Sequence, residues 1–582
     1  MTAHNSMFSH LNLTGEKSRL LETPGHILVL GGPGSGKTTV ALCKSKKCVL
    51  DGNLKNAQKV LFLSFARATV ARVLECAGQF LSRSESKQIE IGTYHGFIWK
   101  LLRSHGYLLQ PQKDIRLLLP KDSAHRLVGF SGAENRRAEK WRLFNEEGLL
   151  EFELFADLAS QLLRRSNALR RIISDTYPII FLDEFQDTDK HEWDFISLLG
   201  IDSSLIALAD PEQRIYEFRG ADPERLKHFQ QAFNPEFFDF GTENYRSNGT
   251  DIIQYGNDFL FKKHLSKQYV NVHLVKYAYY SNRSPYYSLK LKTIERCKYL
   301  IKNVPGWSLA VLLPQKAHTA HFSDYLFSKD DALPSIAHNL LLDGEAHFLA
   351  GQFFAACLEL AGDNDLDNEY FYNALSEYVL GYKGDKTSDT ELKLSNALIA
   401  YIDSNKISGT KRKLLATECD LLFSALKDMT LSGNPREDWI NIRSLVETYS
   451  SDILVDIAKK SRYLRLMHRA SGYHSALCES WRENGRYHKA KELIQDAIAQ
   501  EYFSLSGHTW QGIHLMNMHK SKGKEFTETI IFEGYKNNRF VSDNASDRQE
   551  QQSRYTMRVS ITRSRNNTFI MTPAGNISPF FR

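Results

Sequence analysis

The sequence predicts an α/β fold of parallel sheets spread over more than one domain, and three observations predict it. A short apolar run, Ile27-Leu28-Val29-Leu30, leads into the glycine-rich stretch GGPGSGKTT, Gly31 to Thr39, and then into a helical start at Val40-Ala41-Leu42. A second run, Tyr177 to Ile180, continues into FLDEFQDTD, Phe181 to Asp189, so that a buried strand ends in two carboxylates, Asp183 and Glu184. The length, 582 residues, exceeds what one hydrophobic core holds and points to three or four domains.

Each element has its own justification. The loop Gly31 to Thr38 reads GxxxxGK[ST] in a strand–loop–helix setting. Glycines let backbone N–H groups turn inward around phosphate oxygens, and the helix N-terminus adds partial positive charge. Lys37 is placed to reach the β- and γ-phosphates, and the Thr38 hydroxyl to ligate Mg²⁺. Buried charge is costly unless paired or metal-bound, so Asp183 and Glu184 need partners. In a phosphate-handling site the first carboxylate holds Mg²⁺ and the second orients and deprotonates a water. Two more strands end in small, hydroxyl and aromatic residues: Val60 to Leu63 before SFARATVA, Ser64 to Ala71, and Glu90-Ile91 before GTYHGF, Gly92 to Phe97. Open α/β sheets bind ligands at such ends, although Phe65, Tyr94 and His95 taken singly also suit core packing.

From about Arg103 to Asp175 the pattern is helical, as in GLLEFELFADLASQLL, Gly148 to Leu163. Arg136, Arg137, Lys140 and Arg142 form one basic cluster and Arg164, Arg165, Arg170 and Arg171 another, suited to a phosphate backbone or to a solvated face. A further strand, Ser204 to Ala209, runs into ADPEQRIYEFRGA, with Gln213 three residues before Tyr216 and with Phe218 beyond. ENYRS sets Tyr245 beside Arg246; MNMHKSKGKEF, ending at Phe526, carries His519, Gly523 and Glu525; RVSITRSR places Arg563 after a short strand. WSLAVLLP, Trp307 to Pro314, is a strand, whereas 391–505 reads as amphipathic helices such as LKLSNALIAYI.

Composition narrows the class. Hydrophobic residues make up 42% and charged residues 24%, as in ordinary soluble proteins, and the net charge of +6 is compatible with nucleic acid without requiring it. Seven scattered cysteines without a CxxC pair speak against zinc ribbons and iron–sulfur clusters and for reduced thiols. With no run of 18 apolar residues and no basic, apolar leader, a cytoplasmic protein without a membrane span is expected. Asp363, Asp365 and Asp367 start like a calcium loop, but Asn368 and Ala374 stand where glycine and glutamate are needed. Asp385 with Glu391 and Lys393 reads as a surface loop rather than a nuclease site.

Taken in order, these motifs resemble those of superfamily 1A DNA helicases of the UvrD/Rep/PcrA type. GGPGSGKT resembles motif I, SFARATVA motif Ia, DEFQDT motif II, ADPEQRIYEFRGA motif III, ENYRS motif IV, MNMHKSKGKEF motif V and VSITRSR motif VI. The resemblance implies two RecA-like parallel-sheet P-loop domains, each with a largely helical insertion: 1A at 1–104 and 176–235, 1B at 105–175, 2A at 236–375 and 506–582, and 2B at 376–505. It implies an ATP hydrolase moving 3′→5′ on single-stranded or partially duplex DNA, with ATP and Mg²⁺. Gly31, Gly32, Pro33, Gly34, Ser35, Gly36, Lys37, Thr38, Thr39 and Gly523 would contact the nucleotide, with Tyr245 on the base and Glu525 at the ribose. Glu184 would serve as base, Gln213 as γ-phosphate sensor, and Arg246 and Arg563 as arginine fingers. Phe65, Thr93, His95, Tyr216, Phe218 and His519 would face DNA.

Several positions depart from the pattern. Gly15 stands where an adenine-reading glutamine is expected, Ala209 where glycine is usual, Asn517 for threonine, Lys524 for leucine, and Arg67-Ala68 for Asn-Lys. Seventeen residues follow Arg565, too few for a C-terminal nuclease. The chain therefore also resembles short UvrD-like subunits of anti-phage systems such as Gabija, in which ATP turnover and DNA occupancy would regulate a partner nuclease.

Overall fold

The computed structural model describes residues 15–582 except 53, 56, 66, 110–113, 119–122, 124–125, 128–129, 131, 215–220, 242–244, 246, 248, 328–331, 342–344, 364, 383–388, 462–471, 495–496 and 498–510. Its contacts divide the chain into two compact units, one formed by 1–101, 156–342 and 505–582, the other by 102–155 and 343–504.

The first unit holds two six-stranded parallel sheets. Strands β1 (Ile27–Leu30), β2 (Val60–Ser64), β3 (Ile89–Thr93), β6 (Ile179–Leu182), β7 (Ser204–Ala209) and β8 (Glu236–Asp239) pair in the order β3-β2-β6-β7-β1-β8. β1 pairs with β7 through Leu28 opposite Ala207, and β2 with β6 through Phe62 opposite Phe181. The central strands are apolar throughout because helices cover both faces of a parallel sheet, leaving no polar side to alternate with. On one face Ile27, Val29, Phe62, Phe181, Ile206 and Leu208 pack with Val40 and Ala41 of the helix Lys37–Leu50. The second sheet, β9 (Val272–Tyr277), β10 (Ser308–Leu313), β11 (Asn339–Leu341), β12 (Gly512–Asn517), β13 (Phe526–Phe532) and β14 (Ser564–Pro573), is ordered β11-β12-β10-β13-β14-β9. Leu309, Val311 and Leu313 pack on one of its faces and Ala310 and Leu312 on the other, as strand alternation dictates.

Among its described residues the second unit is helical apart from a two-residue parallel pairing of β4 (Arg116–Leu117) with β5 (Leu149–Leu150). Its core gathers Phe353, Phe354, Phe371, Tyr372, Tyr378 and Trp439, with Phe354 stacked on Trp439 at 5.2 Å between ring centroids. No strand occurs among the described residues of 389–484. The helix Glu345–Gly362, read from sequence as part of 2A, and the helix Asn368–Gly381, which straddles the expected 2A/2B boundary at 375/376, pack in this helical core. Nothing in a buried helix marks which core it joins, so the sequence could not draw that line. The acidic triplet is structural: Asp367 caps the second of these helices by accepting the Tyr370 N–H at 3.0 Å, and Asp363 pairs with Arg486 at 2.8 Å. Among the described residues no helix is long and apolar enough to cross a membrane.

One local expectation is corrected. Arg563 follows a helix, Asp547–Ile561, and precedes β14, rather than following a short strand. Val559 and Ile561, which suggested a strand, are buried on the inner side of that helix.

Candidate nucleotide site at the strand ends of the first unit

The glycine-rich loop leaves β1 and is tied down on both sides. Gly31 N–H bonds to the Ala209 carbonyl at the end of β7, and Gly32 N–H to the Gly241 carbonyl beyond β8. Gly36 has φ +88°, a left-handed conformation that lets the chain turn straight into the helix beginning at Lys37. Lys37 Nζ donates to the Gly31 carbonyl at 2.5 Å and the Gly32 carbonyl at 3.1 Å, so its ammonium sits over the loop's mouth. The Ser35 hydroxyl is buried with no partner among the described residues. An inward hydroxyl, an ammonium and a helix N-terminus converge here, a donor set that fits phosphate oxygens.

The carboxylates stand two strands away, past β7. Asp183 is 4% exposed. Glu184 adopts φ +53°, a left-handed backbone that is costly for a residue with a Cβ and is kept where its surroundings over-determine it. Gln186 does part of that: its Nε2 donates to Glu184 Oε2 at 2.7 Å, and its Oε1 accepts the Asp210 N–H at 3.1 Å. From the second sheet's side, Lys522 Nζ reaches Asp187 at 2.5 Å, Glu184 at 3.4 Å and the Gln213 carbonyl at 2.7 Å. Burial penalises the Glu184 charge, yet Lys522 and Lys37 together hold it below the usual carboxylate range. Asp187 goes the other way: burial, with Glu184 adding to it, pushes it up to about 7 against the pull of Lys522. One ammonium thus serves two carboxylates, and Glu184 keeps the charge more readily.

Gln213 is the hub of the site. Its Nε2 donates to Asp210 Oδ2 at 2.8 Å, its Oε1 accepts Arg563 Nη2 at 3.3 Å, and its carbonyl takes Lys522. Arg563, 2% exposed, is also braced by the Val559 carbonyl at 2.8 Å and by Thr562 Oγ1 at 3.2 Å. Asp210, buried, is held low despite that burial by Arg558 and Lys37. Gly523 has φ +75°, and a Cβ there would lie 2.4 Å from Thr69 Oγ1, so only glycine allows the second sheet's loop to approach the helix Arg67–Phe80.

At the other end of the loop, Tyr245 N–H bonds to the Gly34 carbonyl at 2.9 Å and its ring is exposed. Lys17, buried, donates to the Tyr245 hydroxyl at 3.1 Å and lies 4.4 Å from the ring centroid. Gly15 offers no side chain here. Glu525 pairs with Arg565 at 3.5 Å. Of the residues expected to face DNA, Phe65 stacks on buried Tyr94 at 4.3 Å, and Thr93 Oγ1 accepts the Gly96 N–H at 3.0 Å, which caps the helix Tyr94–His105. His95 and His519 are half-buried, and burial together with Lys316 lowers the His519 pKa. Arg246, Tyr216 and Phe218 lie outside the described residues.

The model of the UvrD/REP helicase N-terminal domain matches residues 13–144 and 133–234. Residues 13–234, less than half of the chain, are thus similar to that N-terminal domain. Rep of Salmonella typhimurium, an ATP-dependent DNA helicase, is 24% identical over 298 residues, 43% of this chain and 44% of Rep. PcrA of Staphylococcus aureus, also named an ATP-dependent DNA helicase, is 22% identical over 299 residues, 44% of this chain and 40% of PcrA. YjcD of Bacillus subtilis is 26% identical over 305 residues, 45% of this chain and 40% of YjcD. The match therefore spans less than half the length of these curated relatives. Among solved structures, Pif1 helicase from Candida albicans aligns with a TM-score of 0.27 and 11% identity over 54% of each chain. The α/β fold of two six-stranded parallel sheets rests on the strand order itself.

Sequence reading assigned no role to Gln186, Asp187, Asp210, Lys522, Arg558 or Lys17. The first five lie inside or beside motifs already singled out, and a buried-charge argument would have flagged them only once their partners were known.

Proposed function

We propose that this chain couples ATP hydrolysis to 3′→5′ movement along single-stranded DNA, as a translocase or helicase. The observation that supports this best is the convergence on Gln213, where Asp210 of the loop-bearing sheet meets Lys522 and Arg563 of the other. In this reading Lys37 leaves its loop carbonyls for the β- and γ-phosphates. Thr38 and Asp183 hold Mg²⁺, which neutralises phosphate charge when bound. Glu184, kept ionised by Lys522 and Lys37, orients the attacking water and takes its proton. Gln213 senses the terminal phosphate, and Arg563 and Arg246 stabilise charge developing on it. Tyr245 stacks on the base, Glu525 faces the ribose, and Gly523 lines the nucleotide site. Phe65, Thr93, His95, Tyr216, Phe218 and His519 track the DNA strand, with base stacking as a sequence-tolerant grip. The division into 1A, 1B, 2A and 2B belongs to the same proposal.

The test is ATP hydrolysis with and without single-stranded DNA, beside strand displacement from 3′- and 5′-tailed duplexes. DNA-stimulated hydrolysis with displacement from the 3′ tail alone is the expected result. Stimulation without displacement would favour a DNA-sensing ATPase subunit that regulates a partner nuclease. Hydrolysis indifferent to DNA would overturn both.

A further inference from the structure

The helix Asp547–Ile561 sends a second arginine toward the glycine-rich loop. Arg558 is 1% exposed. Its Nε donates to Asn257 Oδ1 at 3.0 Å, its Nη2 lies 2.8 Å from Glu212 Oε2, and its Nη1 reaches Asp210 Oδ2 only at 3.5 Å. A Cβ built on Gly32 would lie 3.9 Å from Nη2, and the carbonyl of that same Gly32 accepts a bond from Lys37 Nζ. The guanidinium thus stands at the loop's mouth beside the lysine assigned to the terminal phosphates.

Its three partners differ in permanence. Asn257 holds the stem end of the fork, and Asp210, at 4% exposure, is itself locked by Gln213 and the Glu212 N–H. Glu212 holds the outer nitrogen with a side chain 37% exposed, free to turn to water. A planar fork with one arm on a half-solvated carboxylate and another at the limit of hydrogen-bond reach is poorly used, whereas phosphate matches its geometry and charge.

We propose that Arg558 is a phosphate ligand of this site: when a nucleoside triphosphate binds, Nη2 leaves Glu212 for an oxygen of the terminal phosphate while Nε stays on Asn257. The proposal rests on the nucleotide reading above. It gives the second sheet a contact to the nucleotide in the bound state, distinct from Arg563, which Gln213 holds.

The experiment is calorimetric titration of the full chain with Mg²⁺ plus the β,γ-imido analogue of ATP, and separately with Mg²⁺ plus ADP. Arg558→Ala should weaken the triphosphate analogue about tenfold or more while ADP changes less than about twofold, since only the analogue carries the contacted group. Glu212→Gln, which frees the fork, should tighten the analogue and leave ADP unchanged. Arg558→Lys keeps a positive charge beside Asp210, and with it the fold, but loses the fork; it should fall between wild type and the alanine variant. Equal weakening of both nucleotides in Arg558→Lys, or no weakening of the analogue, would mean a structural role and overturn the proposal. A wild-type chain that binds neither nucleotide would overturn the nucleotide reading, and the proposal with it.

Discussion

The two sheets of the first unit each hold six parallel strands, yet they bring opposite charges to the site. The first gathers acids, Asp183, Glu184, Asp187 and Asp210, on the side of the glycine-rich loop. The second has no such loop, and its strand ends are closed by their own hydrogen bonds. Glu533 accepts the Thr572 hydroxyl at 2.6 Å and the Phe540 N–H at 3.2 Å, and Asn517 Oδ1 accepts the Lys520 N–H at 3.2 Å. What the second sheet sends outward is cationic: Lys522, Arg558 and Arg563, each at most 4% exposed. Buried charge of one sign is expensive alone, so each sheet leaves its half of the site unsatisfied and is completed by the other. The same architecture serves two roles because function sits in the loops and not in the strands.

That comparison can be broken by substitution, and the largest effect should come from the acidic side. Glu184→Gln keeps size and removes the base; turnover should fall by at least about 10³-fold while nucleotide binding persists. Single-turnover hydrolysis beside equilibrium binding checks it, and near-normal turnover would strip Glu184 of that role. On the cationic side Arg563→Ala should cost roughly 10³-fold in turnover with nucleotide affinity little changed. A parallel loss of affinity would make Arg563 a brace for Gln213 instead.

Smaller effects sharpen the electrostatics. Lys522→Met strands Asp187 and Glu184 without their shared ammonium, and loss of one partner from a buried pair costs about 3–5 kcal/mol. Denaturant unfolding should show it, and adding Asp187→Asn should restore much of the loss. Asp187 also predicts a pH dependence. Its folded pKa, about 7, lies above the ordinary 3.8, so the folded state binds the extra proton between those values. Its contribution therefore falls as pH rises from about 4 to about 7. Glu184, held low, contributes in the opposite sense, losing stability as pH falls below its ordinary range. The difference between wild type and Asp187→Asn across that window isolates the Asp187 part; an unchanged slope would mean that Asp187 is ionised throughout. The smallest effect concerns the base. Gly15 offers no bidentate partner to adenine, so ATP and GTP hydrolysis should differ by less than about tenfold. A larger ATP preference would give base reading to another residue.

Elements whose cause is local can be read from the residues alone. The apolar runs of β1, β6, β7 and β10, the loop Gly31 to Thr38, the pair Asp183-Glu184 and the lack of strands among the described residues of 391–484 were all legible, because periodicity, glycine and chain-end chemistry act over a few residues. Arg563 was legible only through motif order, and its immediate setting was misread because Val559-Ser560-Ile561 has β-branched residues on a helix that tertiary burial stabilises. The pairings across the site come from the fold and not from any local pattern. Lys522 lies 335 residues from Asp187, Arg563 350 from Gln213 and Arg558 348 from Asp210. Which buried cation answers which buried acid depends on how two separately built sheets meet, and no local pattern encodes that meeting. The same holds for the helices Glu345–Gly362 and Asn368–Gly381, whose apolar surfaces state that they are buried but not in which core.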